Sequence, residues 1–317
     1  MADSPKSDAA RGVSTPVPPR KGAKSRPAGG AARPTRGTQA RQAQHRRNRI
    51  LAWTAVAGVV VIVAALVGIK LAGSGSSGGA PRQPAPAAAV AKLTSVPLST
   101  LTAAAAKING LQAAQPAGDP PLTSGGKPNL LYIGAEFCPI CATERWPMTI
   151  ALSHFGTFSN LSQTHSAVRD GNIATLSFYG SSFSSPYLSF SPVETTTNQP
   201  SGNYYKTLET PTAAQQAIWQ KHEGTNLAFP FIDIGGKWLL ETSQYPDTIL
   251  QGKTFSDILD AVGSNDNTLG AAIDASAAVL IRYICDITAN KPAQTCQAVA
   301  SLPLPSTSGS GTSSPAG

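Results

Sequence analysis

Cys138 and Cys141 stand three residues apart with Pro139 and Ile140 between them, directly after the apolar run Asn129–Phe137. At a strand-to-helix junction, two thiols at that spacing share one helical face. One thiolate can attack a disulfide and the other can resolve the mixed disulfide that results. A cysteine at a helix N-terminus has its pKa lowered by the unpaired N–H groups and the dipole there, and Cys138 occupies that place. Pro139 suits the first helical position, because its fixed φ is already helical and its missing N–H would have had no intrahelical partner. Cys138 is therefore the candidate nucleophile and Cys141 the candidate resolving thiol.

Other uses of the pair are a structural disulfide, half of a zinc site, or two unconnected buried thiols. Zinc usually takes four ligands. The remaining cysteines, Cys285 and Cys296, are eleven apart, and His154, His165 and His222 show no ligand spacing. A c-type haem site would need a histidine where Ala142 stands. No metal and no cofactor is expected. Four cysteines allow three pairings. The local choice joins Cys138 with Cys141 and Cys285 with Cys296, the second being a structural clip.

The elements that must position the dithiol follow from punctuation and periodicity. The run up to Phe137 reads as a strand, and a helix is expected from Cys138 to about Phe155, ending at Gly156 and kinked by Pro147. Ser95–Ile108 reads as a short helix stopped by Asn109-Gly110. Ile173–Tyr179 is a β-rich run bounded by turn residues, and Tyr187–Val193 is a further short strand. Thr212–His222 is helical. Phe229–Leu240 reads as two strands joined at Gly235-Gly236, and Phe255–Val262 and Gly270–Thr288 as helices. Strands alternating with helices in this order predict an α/β fold, a mixed central sheet with helices on both faces. Glu136 and Glu144 are the candidate proton-handling carboxylates beside the thiols, although an ordinary solvated side chain is the expected reading of each, whereas Asp233 is expected to face a turn or lie buried and satisfied.

Charge and hydropathy place the domain. Ile50–Ile69 is twenty residues without a charge, which at about 1.5 Å per residue matches a bilayer core of roughly 30 Å. A transmembrane helix is expected over 50–71. Residues 1–49 hold twelve Lys and Arg against Asp3 and Asp8, out of 25 basic and 17 acidic side chains in the chain, which leaves 13 basic and 15 acidic from Ile50 onward. The net charge of +8 thus belongs to the tail. By the positive-inside rule that tail is cytoplasmic and the cysteines are exported, to a compartment where disulfides persist. With almost no apolar residues before Ile50, the tail reads as a disordered topogenic segment and not as a nucleic-acid-binding arm. The low-complexity stretch from Ala72 reads as a flexible linker over 72–93, followed by one domain over 94–304 and a disordered tail over 305–317.

These residues resemble the thioredoxin-like superfamily. A CxxC at the start of a kinked helix (Cys138, Cys141, Pro147) and a proline opening a late strand (Pro230 before Phe231–Ile234) carry the likeness. The resemblance implies that Pro230 is cis, lies across from Cys138 and, with Phe229, Pro139 and Ile140, shapes the groove for a substrate segment. It also implies that Ser182–Ala228 is an insertion before the cis-proline strand. Where thioredoxins usually carry a buried acid six residues before the first cysteine, this chain has Tyr132. More narrowly, Tyr132–Ala142 with Arg145-Trp146, then Phe178–Ser182, then Phe231–Gly236 are similar to the family catalogued as domain of unknown function 929, over roughly residues 94–300.

The function expected from this is a membrane-anchored, extracytoplasmic thiol-disulfide oxidoreductase. Its partners are exported protein thiols or disulfides and a membrane redox partner. The alternative is a non-enzymatic cell-envelope binding or scaffold module with structural disulfides, in which the Ser-, Thr- and Tyr-rich stretch Ser181–Tyr205 recognises a partner.

Overall fold

The computed structural model describes residues 80–264 and 267–305. The basic segment 1–49, the apolar segment 50–71 and residues 306–317 lie outside them.

Six strands form the central sheet: β1 (Gln115–Pro116), β2 (Thr123–Ser124), β3 (Lys127–Gly134), β4 (Ser189–Glu194), β5 (Phe231–Ile234) and β6 (Trp238–Leu240). β3 lies in the middle. On one side it pairs antiparallel with β5, which continues to β6 and β1. On the other side it pairs parallel with β4, and β2 hairpins onto its first residues. Helices α1 (Ala87–Thr94), α2 (Leu98–Ala105), α3 (Pro139–Ser153), α4 (Ala213–Glu223), α5 (Phe255–Ala261), α6 (Thr268–Ile287) and α7 (Ala293–Ala298) complete the fold.

The two-residue period of the strands sorts the core into two layers. Leu130 and Tyr132 of β3, Ile232 and Ile234 of β5, and Trp238 and Leu240 of β6 face the larger layer, which includes Leu101, Trp146, Ile273 and Ile281 from α2, α3 and α6. The intervening Leu131, Ile133, Phe231 and Leu239 face the smaller layer, closed by Val193 and by Trp219 of α4. Helices therefore lie on both faces. Among the described residues α6 is the one helix long and apolar enough to cross a membrane, but most of it is buried inside the domain. It is the core helix of the larger layer.

Turn chemistry fixes the β5–β6 hairpin. Gly235 and Gly236 both have positive φ, 72° and 73°, the conformation of a tight two-residue turn. A Cβ at Gly236 would also lie 2.2 Å from the Pro120 carbonyl oxygen. Asp233 is buried and accepts the Gly236 N–H at 2.6 Å, so it is a satisfied turn acid.

Four expectations need correction. Ile173–Tyr179 yields a strand at Ala174–Ser177, but it joins a separate three-stranded sheet with Ser162–His165 and Gln83–Pro84. Its Ala174 carbonyl accepts Trp146 Nε1 and its Thr175 hydroxyl donates to Ala142 O, which fixes it on α3. The strand parallel to β3 is β4, so part of the expected insertion Ser182–Ala228 is the central sheet itself. Composition identifies a strand but not its partner, because pairing is a long-range property. The expected linker 72–93 is ordered from residue 80 at least, with Ala89 and Leu93 of α1 buried. The expected helix Ser95–Ile108 is shorter, Leu98–Ala105, with Pro97 as its N-cap.

Cys285 of α6 and Cys296 of α7 form a disulfide, as the local pairing expected. In the chain-entropy picture its short loop stabilises the fold by about 2–3 kcal/mol. Urea denaturation of a Cys285→Ser, Cys296→Ser variant should give a stability lower by that amount, and an unchanged midpoint would show that the clip contributes nothing.

Candidate functional site

The dithiol sits where β3 ends and α3 begins. Cys138 is the N-cap residue of α3, in extended conformation, with Pro139 at the first helical position. Its Sγ accepts the Cys141 N–H at 3.1 Å. The thiol thereby satisfies one of the N–H groups that a helix start leaves unpaired. Cys138 and Cys141 are free thiols, the reduced form of the expected pair, and both are buried. Pro147 does not interrupt α3, but a proline donates no N–H to the carbonyl four residues earlier. That carbonyl, Thr143 O, instead accepts the Tyr245 hydroxyl at 2.9 Å. Tyr245→Phe would leave it buried and unpaired, a loss of about 1–3 kcal/mol measurable by urea denaturation.

β5 supplies the facing wall. The Phe229–Pro230 bond is cis, and the Phe229 carbonyl oxygen lies 3.9 Å from Cys138 Sγ. Ala135, Cys138 and Cys141 form a small buried cluster, against which the half-buried Phe137, Ile140 and Phe229 pack. The expected groove residues Phe229, Pro230, Pro139 and Ile140 are thus brought around Cys138. Cys285 and Cys296 belong to the α6–α7 clip. Among the described residues no group of three His, Cys, Asp or Glu side chains could hold a metal ion.

The two thiols are driven apart electrostatically. For Cys138 burial pushes the pKa up, but hydrogen bonds from the Cys141 thiol and from the Cys141 and Ile140 N–H groups, with the charge of Arg145, bring it below the ordinary value. Burial raises Cys141 well above it, and its hydrogen bond to Cys138 and the Cys138 charge add to that. One thiolate is favoured, and it is on Cys138.

Several neighbours were not assigned a role from sequence. Arg145, four residues after Cys141 on the same face of α3, is fully buried and forms a two-pronged ion pair with Glu194 at the end of β4, 2.8 and 2.7 Å. It also donates to Ala135 O at 2.7 Å, so it ties the loop before Cys138 to the sheet. The i+4 spacing from Cys141 was a signal for Arg145. Nothing local points to Glu194, 49 residues away. Tyr132, at the place of the missing acid, is buried among Arg145, Glu194 and the two cysteines, and burial raises its pKa well above the usual phenol value.

The two carboxylates expected to be solvated are buried instead. Glu136 accepts from Arg82 at 2.8 Å and from the Ser177 hydroxyl at 2.7 Å. Glu144, one turn beyond Cys141, accepts the Gln244 N–H at 3.1 Å on one oxygen, and its other oxygen has no hydrogen-bond partner. Burial, with a small push from Cys141, raises its pKa from 4.5 to about 8. A carboxyl raised in the folded state binds more protons folded than unfolded between those values, so stability is full below pH 4.5 and is lost as pH rises toward 8. Thermal melts from pH 5 to 8.5 should show that decline in the native chain and a flatter profile in Glu144→Gln. Equal slopes would remove Glu144 as its source.

An aromatic rim surrounds the thiols. Phe137 stacks on Tyr205 at 4.3 Å and meets Tyr204 and Phe229 edge to face, at 5.5 and 6.1 Å, and Trp219 packs on Phe229 at 5.1 Å. Tyr204 and Tyr205 come from a hairpin of Thr196–Ser201 with Tyr204–Thr207. Tyr204 is 52% exposed and Val168 49%, the two large apolar side chains most open to solvent among the described residues.

This geometry, from β2 through the dithiol and β4 to Tyr205, is also where a family likeness is found. Residues 117–205 match the family described as Domain of unknown function (DUF929). The match supports the narrower resemblance drawn from the motifs, over a shorter span than 94–300. The matched segment holds Cys138, Cys141, Arg145, Glu194, Tyr204 and Tyr205, and stops before Phe229 and Pro230. No curated protein and no solved structure matches the chain.

Proposed function

We propose that this chain is a thiol-disulfide exchange protein, anchored by the apolar segment at 50–71 with its cysteine domain outside the cytoplasm. The observation that carries the reading is Cys138 as N-cap of α3, its Sγ accepting the Cys141 N–H while facing the cis Phe229–Pro230 bond. The order of the elements supports a thioredoxin-like fold: β3, α3, parallel β4, α4, antiparallel β5 and β6, then α6, with the cis proline opening β5.

In the reducing direction the Cys138 thiolate attacks one sulfur of a substrate disulfide and expels the other as a thiolate. Cys141 then loses its proton and attacks Cys138 Sγ. A Cys138–Cys141 disulfide forms and the second substrate thiolate leaves, so the substrate gains the two electrons that the pair gives up. Run backward, the same steps oxidise a dithiol. A membrane redox partner would reset the pair. Phe229, Pro230, Pro139 and Ile140 line the path of the substrate segment, and the aromatic rim favours an apolar residue beside its cysteine.

The reduction potential of the Cys138/Cys141 couple tests this reading. Structural disulfides lie below about −300 mV and exchanging ones above. A value below that limit would leave a scaffold whose helix start is merely locked.

A further inference from the structure

The two large apolar side chains left open to solvent among the described residues, Tyr204 and Val168, belong to two segments that are both fastened to Phe137, the residue before Cys138. Tyr204 meets the Phe137 ring edge to face at 5.5 Å, and Tyr205 stacks on it at 4.3 Å. On the other segment Ala167 donates its N–H to Phe137 O at 2.9 Å, and Asp170 accepts the Tyr205 hydroxyl at 3.3 Å. Single exposed apolar residues are ordinary, but two on segments that meet beside the dithiol mark an interaction surface.

The adjacent tyrosines do different things. Tyr205 is buried and anchors its hairpin, whereas Tyr204 is presented to solvent. Burial, followed by the charge of Cys138, raises the Tyr204 pKa above the usual phenol value, so the ring lies within electrostatic reach of that sulfur. Side chains alternate between faces along a strand, and in Tyr204–Thr207 the burial follows suit: Tyr205 is covered, Tyr204 and Lys206 are exposed. A ring and an ammonium thus share one open face, roughly 7 Å apart along the strand. The charge of Arg169, whose guanidinium lies 5.1 Å over the Tyr205 ring, is answered by Asp170 at 3.5 Å. The Lys206 ammonium has no ion-pair partner among the described residues.

An apolar side chain would cover Tyr204, and an aromatic one does so best, because ring pairs gain edge-to-face contact beyond their buried area. A carboxylate beside it would meet Lys206. A cation in its place would be opposed by Lys206 and Arg169. We propose that the face carrying Tyr204 and Lys206 is a docking surface for a polypeptide segment with an aromatic residue next to its reactive cysteine and an acidic residue beyond that. The assignment rests on the exchange reading above and narrows the segments that exchange accepts.

The probes are short peptides whose one cysteine is held as a mixed disulfide with 2-thiopyridine. Phe or Ser stands next to the cysteine, on each side in turn, and Glu or Lys stands beyond it. In the full chain carrying Cys141→Ala, the Cys138 thiolate attacks the peptide sulfur. A Cys138–peptide disulfide forms, the original sulfur–sulfur bond breaks, and the pyridine thiolate leaves as 2-thiopyridone, read by its absorbance. On one side of the cysteine Phe should give a rate at least about fivefold above Ser. Glu should exceed Lys by at least about threefold at low salt, and less so in about 0.5 M salt. Adding Lys206→Glu should invert the order of Glu and Lys.

Equal rates for Phe and Ser on both sides, or Lys preferred to Glu, with 2,2′-dithiodipyridine still reacting, would overturn the surface and leave exchange standing. An order of Glu over Lys that persists in Lys206→Glu would overturn the part given to Lys206. No reaction with the peptides or with the small disulfide would bring down the exchange reading, and the surface with it. Both preferences are first read with Tyr204 and Lys206 in place, so they do not depend on how the Lys206→Glu chain folds.

Discussion

The full chain carrying Cys141→Ala is expected to accumulate covalent adducts through Cys138, and the Cys138→Ser chain to form none. The argument is positional. Cys138 caps α3, accepts the Cys141 N–H and has its pKa brought below the ordinary cysteine value, whereas burial pushes Cys141 above it. Attack therefore starts at Cys138, and with Cys141 removed nothing resolves the mixed disulfide. The adducts should vanish on treatment with reductant and should contain exported proteins. Non-reducing electrophoresis of cells expressing each variant checks this. Adducts that form through Cys141 when Cys138 is absent would reverse the assignment, and adducts in neither variant would favour the scaffold.

Arg145→Met is expected to cost about 3–5 kcal/mol, because removing one member of a buried pair leaves the other charge uncompensated. Both side chains are fully shielded from solvent and share two short contacts. Glu194→Gln should cost less, because the Gln amide oxygen can still accept from Arg145, and Arg145 keeps its bond to Ala135 O. A double change to apolar residues should recover much of the loss. A readout that is not merely structural comes from Cys138. Arg145 lowers its pKa, so thiolate absorbance should titrate at higher pH in Arg145→Met. An unshifted titration in a folded variant would confine Arg145 to packing.

The cysteine spacing and Pro139 were enough to set Cys138 at a helix start with Cys141 one turn on, because those signals are local, whereas the placing of Phe229 and Pro230 opposite Cys138 came from the thioredoxin-like resemblance and not from any local signal. The alternation of strands with helices along the chain likewise foretold a sheet covered on both faces. What stayed hidden was long-range. Ile173–Tyr179 looks more like a core strand than Ser189–Glu194 does, yet the latter lies parallel to β3, its register set by partners more than fifty residues away. Glu136 and Glu144 look like surface acids, and their burial became visible only when Arg82 and Gln244 were placed beside them.

The pairing of Arg82 with Glu136 bears on where this protein can be cut. Arg82 lies twelve residues before the expected domain start at 94, in a stretch whose composition suggested a mere spacer. Its guanidinium lies 4.2 Å over the Tyr179 ring and 2.8 Å from a carboxylate two residues before Cys138. A fragment begun at 94 would keep the cysteines and still lose the cation that balances Glu136. Shedding the domain by cleavage between 82 and 94 would have the same effect. The N-terminal border of the domain is thus an electrostatic boundary as much as a folding one, because the segment leading into it supplies the cation for a buried acid two residues before Cys138.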